Sequence, residues 1–77
     1  MPMNEKLMIA RQSDNINNQG VNAYENDDLL NAVKYFEQAL KLMPNNDDAL
    51  KNLKLCYSEI GNQDKVNKIV KRLNYLD

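Results

Sequence analysis

The chain has 77 residues, room for one domain, and a chain this short buries only about 60% of the surface its unfolded form exposes, so modest stability is expected. Ten basic and eleven acidic residues leave a formal net charge of -1, which offers no single-signed field to nucleic acid or an anionic membrane. Histidine is absent and Cys56 is the one cysteine, which excludes an intrachain disulfide framework and the common zinc sets and points to a reducing compartment. The opening MPMNEKLMIARQ carries an apolar run only from Leu7 to Ala10, too short for a signal-peptide core or a membrane span, so the expected location is the cytoplasm. Thirteen asparagines suggest disorder, but the 43% hydrophobic content falls at regular spacing and argues for a fold.

Taken in chain order, the periodic segments are all helical, because β-branched residues are sparse and no sustained alternation occurs. Ile16, Gly20 and Ala23 fit a first helix ending near Asn26-Asp27-Asp28; residues 4–12 either extend it backwards, with Asn4 as a cap and Pro2 outside, or fray. Leu29, Ala32, Val33, Phe36, Ala39 and Leu40 form the apolar stripe of a second helix, which Pro44 stops. The acidic residues before it can cap its first turn. Asn45-Asn46-Asp47-Asp48 opens a third helix whose buried stripe is Ala49, Leu50, Leu53, Tyr57 and Ile60. Gly61 suits a left-handed stop, Asn62 a cap, and Val66, Ile69, Val70, Leu73 and Leu76 line a fourth helix. Lys65, Lys68, Lys71 and Arg72 on its other side read as a solvated face sooner than as a site for acidic ligands. Short connections between four such helices force antiparallel neighbours.

No catalytic set can be assembled from these residues. The Asp27/Asp28 and Asp47/Asp48 pairs stand where helix starts need caps, and Cys56, which reads as a half-buried structural cysteine, has no histidine base anywhere in the chain. Neither a phosphate-binding glycine loop nor a metal-ligand spacing is present. The expectation is a non-enzymatic protein with no cofactor.

Offsetting the chain by the 34 residues typical of one class of helical repeat places Asn18 on Asn52, Glu25 on Glu59, Lys34 on Lys68 and Leu42 on Leu76. It also sets the Asn26-Asp27-Asp28 turn opposite Ile60-Gly61-Asn62. Within the first unit, Gly20, Ala32, Phe36, Ala39 and Pro44 follow one another at fixed spacing, and EQALKLMPNN closes it. In this the chain resembles the tetratricopeptide repeat family, whose pattern runs W-x2-L-G-x2-Y, then A-x3-F-x2-A-x4-P. The first unit departs at Ser13 and Gln19, usually apolar places, and at Ala23, where tyrosine is common. The second matches at Ala49, Leu50, Leu53, Tyr57 and Gly61 but carries Lys54, Val66 and Leu73 where the first has Gly20, Ala32 and Ala39.

The resemblance implies an all-α fold, two antiparallel helix-turn-helix hairpins stacked as a short right-handed α-solenoid. Residues 13–46 would be the first repeat, 47–77 a degenerate second, and 1–12 an extension of the first helix. Gly20 is then expected to meet Ala32 where the helix axes come closest, with Ala39 admitting the next hairpin and Phe36 filling the wedge between them. First helices in this family line a concave groove for a peptide or partner helix. The matching positions are Asp14, Asn17, Asn18, Val21, Tyr24 and Glu25, then Asp48, Lys51, Asn52, Leu55, Ser58 and Glu59. Asn18 and Asn52 are suited to gripping an extended backbone, and Val21 with Leu55 to forming an apolar patch. The carboxylate clamp of chaperone-binding members is not expected, since Asn17 replaces its lysine, Val21 one of its asparagines, and the third repeat is missing. Function is therefore expected to be protein or peptide binding. Self-assembly through apolar residues at the two ends, as a homodimer or as a fragment docking onto other repeats, is the alternative, because two repeats are fewer than usually stand alone.

Overall fold

The computed structural model describes residues 2–76, with side chains from Asn4 onward, and resolves them into four helices with no strand among them. They are α1 (Pro2–Glu25), α2 (Leu29–Leu42), α3 (Asp47–Ile60) and α4 (Gln63–Leu76). Each helix packs along the next, giving two hairpins, and α3 also approaches α1 directly, whereas the Cα traces of α2 and α4 stay more than 8 Å apart.

Helix starts and stops follow local chemistry. Asp28 caps α2 by accepting from the Asn31 amide at 3.4 Å, and a second carboxylate bond of 2.7 Å comes from the Asn31 side chain. The chain turns into that cap through Asp27, at a left-handed φ of 61°. Asn46 caps α3 through the Ala49 amide at 3.1 Å, and Asn62 caps α4 through that of Lys65 at 3.2 Å. Gly61, at φ 87°, closes α3 with its own and the Asn62 amide both donating to the Tyr57 carbonyl at 2.9 Å. Asn4 is not a cap: α1 already runs at Pro2, whose fixed φ and missing amide hydrogen suit a first helical turn.

The core joins Ala32, Phe36, Ala39 and Leu40 of α2 to Ala49, Leu50, Leu53, Cys56 and Tyr57 of α3 and to Val66 and Ile69 of α4. Ile60 does not belong to it. That side chain is 46% exposed, at the end of α3 where even a Cβ on the neighbouring Gly61 would meet nothing within 4 Å. Cys56, three residues after Leu53, takes an inward position and is fully rather than half buried. Leu76 likewise ends its stripe in solvent.

At Gly20 the partner the structure shows is the Phe36 ring. A Cβ built on Gly20 would lie 2.5 Å from the Phe36 ring, so the aromatic edge of α2 occupies the space where α1 has no side chain. The glycine is thus a slot for Phe36, and Ala32 and Ala39, both fully buried, let the rest of α2 come close.

A polar network crosses this apolar core at one end. The fully buried Ser13 hydroxyl donates to the Ala39 carbonyl at 2.8 Å and accepts from Asn46 Nδ2 at 2.8 Å. Nδ2 also reaches Asp14 Oδ1 at 3.3 Å. Ser13, out of place in an apolar stripe, is the donor that ties α1 to the end of α2 and the start of α3. No buried side-chain polar atom among the described residues lacks a partner.

Burial sets an alkaline limit on this core. It pushes the Cys56 thiol from 9.0 up to about 11, with the Glu59 charge adding to the effect. Burial first, then the hydrogen bond to Glu37, pushes the Tyr57 hydroxyl from 10.0 up to about 12. Both groups are neutral when folded, so their contribution is complete below the unfolded values and is lost as pH rises through the folded ones. The urea midpoint read by circular dichroism should hold up to about pH 9 and fall steadily between about 9 and 12. A midpoint flat across that window would mean that neither group loses solvent on folding.

Candidate functional site

The candidate face lies on α1 and α3, held side by side by two bridges seven residues apart on each helix. Asn52 Nδ2 donates to Asn17 Oδ1 at 3.0 Å, and the Tyr24 hydroxyl donates to the Glu59 carboxylate. Both join residues 35 apart, and seven residues are about two helical turns, or roughly 10 Å of rise. The Glu59 hydrogen bond, then partial desolvation, raises the Tyr24 hydroxyl above its ordinary value.

These bridges decide what the residues picked from the sequence can offer. Asn17 is 7% exposed and its carbonyl is spent on Asn52, so it belongs more to the seam than to the surface. Asn52 is half-buried, with one amide hydrogen engaged and its oxygen without a partner among the described side chains. Asn18 and Ser58 are exposed. Val21 and Tyr24 are half-buried and pack on the core. Leu55 is 47% exposed between the two bridges. Lys51 is exposed and pairs with Asp47 one turn back, at 3.8 Å, the one ion pair among the described residues.

Glu59, as the acceptor for Tyr24, and Ser13 and Asn46, as the buried junction, carry roles that the 34-residue offset hides. Pairing at 35 instead of 34 would have brought Asn17 to Asn52 and Tyr24 to Glu59. The described residues hold no group of three or more histidine, cysteine or acidic side chains placed to take a metal ion. No helix among them is long and apolar enough to cross a membrane. Cys56 is buried with its thiol held protonated, the opposite of an activated nucleophile.

Comparison with curated proteins gives no match, and comparison with solved structures gives none either. A family model described as tetratricopeptide repeat matches residues 23–77, from the last turn of α1 to the chain's last residue. Over the matched residues the chain forms helices packed in hairpins, in keeping with that family. The chain belongs to the tetratricopeptide repeat family, whose modules generally act as non-enzymatic scaffolds that bind proteins or peptides.

Proposed function

We propose that the chain is a protein interaction module without catalytic activity, built from repeats at 13–46 and 47–77, that takes a peptide or partner helix across the face of α1 and α3. The observation that carries this reading is Leu55, an aliphatic side chain left 47% exposed between two hydrogen-bonded bridges that hold its surroundings rigid. A rigid, partly apolar strip flanked by amides costs little entropy to dock on. Asn18, Asn52 and Ser58 supply donors and acceptors for a ligand's backbone, and Val21 and Tyr24 supply the wall behind Leu55. Among the groove positions, Asp14, Glu25, Asp48 and Glu59 outnumber Lys51, which favours a ligand with basic residues around an apolar anchor.

Leu55→Arg with Ser58→Arg tests the reading without touching the core, since both side chains are exposed. Peptides selected on the wild-type chain from a displayed library of random 16-mers should lose at least about tenfold in affinity for this variant. Its helical circular dichroism should be unchanged. Selected peptides that all bind the variant as tightly as the wild type would place binding elsewhere.

A further inference from the structure

Because no Cα of α2 comes within 8 Å of one of α4, a groove opens between them on the side of the molecule that the α1 and α3 reading does not use. Its floor is apolar, formed by Leu40, Leu53, Tyr57 and Ile69, and its volume is about 460 Å³. Its rim is basic: Lys65, Lys68 and Arg72 stand along α4 and Lys41 faces them from α2. Glu37 is the one carboxylate on the rim, and it is already engaged by the Tyr57 hydroxyl at 2.6 Å. Lys65 sits on that same tyrosine, 3.3 Å from its oxygen and 4.9 Å from the ring centre. Arg72 donates to the Pro44 carbonyl, whose neutral oxygen leaves the guanidinium charge uncompensated. Lys41 and Lys68 have no carboxylate within ion-pair distance among the described residues.

We propose that this groove is a second docking surface, for an acidic amphipathic helix of a partner protein. Lys65, Lys68 and Arg72 recur at i, i+3 and i+7, one face of α4 spanning roughly 10 Å, which matches carboxylates at the same helical spacing on a partner. Apolar residues between those carboxylates would meet the floor, and the two flanking helices of fourteen residues each give a partner helix a bed of comparable length. Charge also argues against the exposed first turns of α1 as the occupant. Residues 2–12 carry Glu5 against Lys6 and Arg11, a net charge of +1 that the rim repels. The opposed character of the two faces, acidic on α1 and α3 and basic here, lets one chain hold two partners of different charge.

The test uses the same library of displayed 16-mers on the full chain, with Lys41→Glu plus Lys68→Glu as the groove variant. Lys34→Glu plus Lys71→Glu places the same charge change on the same two helices outside the groove. A class of selected peptides should be enriched in Asp and Glu at helical spacing between apolar residues. Their affinity should fall at least about tenfold for the groove variant, change less than about twofold for the control pair, and weaken with salt. They should bind the Leu55→Arg, Ser58→Arg variant normally, so that this surface and the α1 and α3 surface stand or fall separately. Absence of an acidic class, or equal losses with the two charge-reversal pairs, would overturn the proposal. So would phosphatidylserine vesicles captured through Lys41 and Lys68 in place of peptide. A wild-type dimer in light scattering that the groove variant breaks would assign the groove to a second copy and overturn it as well.

Discussion

Phe36→Ala should cost the domain about 3 to 5 kcal/mol, read as a fall in the urea midpoint, and toward the upper end of that range. The ring is 1% exposed and fills the gap that Gly20 leaves on α1, so removing it opens a void that no side chain on the facing helix can relax into. A domain of 77 residues is expected to hold only about 4 to 12 kcal/mol in all. The variant should therefore be largely unfolded at body temperature if the wild type lies low in that range. The geometry makes a sharper claim about the pair. In the wild type, Gly20→Ala should destabilise by roughly 1 to 3 kcal/mol, because its methyl would stand 2.5 Å from the ring, less up to about 1 kcal/mol regained from helix propensity. In the Phe36→Ala background the same substitution should stabilise, since the methyl enters space the ring has vacated. A Gly20→Ala effect of the same sign in both backgrounds would mean that the ring does not occupy the slot.

Asn46 carries the second large effect, because its side chain does two jobs at once. Its oxygen caps α3 through the Ala49 amide and its nitrogen donates to the buried Ser13 hydroxyl. Asn46→Ala removes both, orphaning a buried amide at the helix start, for a loss of roughly 2 to 3 kcal/mol. Asn46→Asp separates the jobs. Aspartate is as good a cap as asparagine and suits the positive end of the helix dipole, so a capping role alone predicts no loss. Here the second oxygen would face the Asp14 carboxylate, which now receives Nδ2 at 3.3 Å, and could give Ser13 no hydrogen. Denaturation should find Asn46→Asp destabilised by about 1 to 2 kcal/mol. Wild-type stability in that variant would reduce the residue to a cap.

The helices themselves were legible because each is written locally. The stripe from Leu29 to Leu40, the Asp28, Asn46 and Asn62 caps and Gly61 all depend on neighbours within one turn, and the structure places α2, α3 and α4 where those signals stand, whereas the Asn4 signal is overrun by α1. What escaped depends on which residues face one another across helices. Gly20 and Phe36 both stand out in the sequence, but that the ring lies against the glycine does not, since spacing along one helix says nothing of rotation about the next. Ser13 was read as a defect in a stripe because its two partners lie 26 and 33 residues away. Asn17 was expected on the surface and is instead the acceptor of the α1 to α3 bridge. The lysines of α4 read from sequence as a solvated face sooner than as a site for acidic ligands, and they are exposed; what stays hidden is the apolar floor beside them, because α2 and α3 supply it together with the inner side of α4.

The bridges of the fold have a thermodynamic meaning for how the domain opens. Ser13 to Asn46, Asn17 to Asn52 and Tyr24 to Glu59 are three rungs that all run from the first hairpin to the second. In a stacked array, the free energy of a unit and the coupling to its neighbour are separate quantities, and cooperativity grows with the second. Here the coupling is directional as well as apolar, since undocking the hairpins strands polar groups on both sides. The most slowly exchanging amides of α1 from Ser13 onward and those of α3 should therefore open in a single event. Residues 2–12 of α1 contribute no rung, so their amides should exchange ahead of that event.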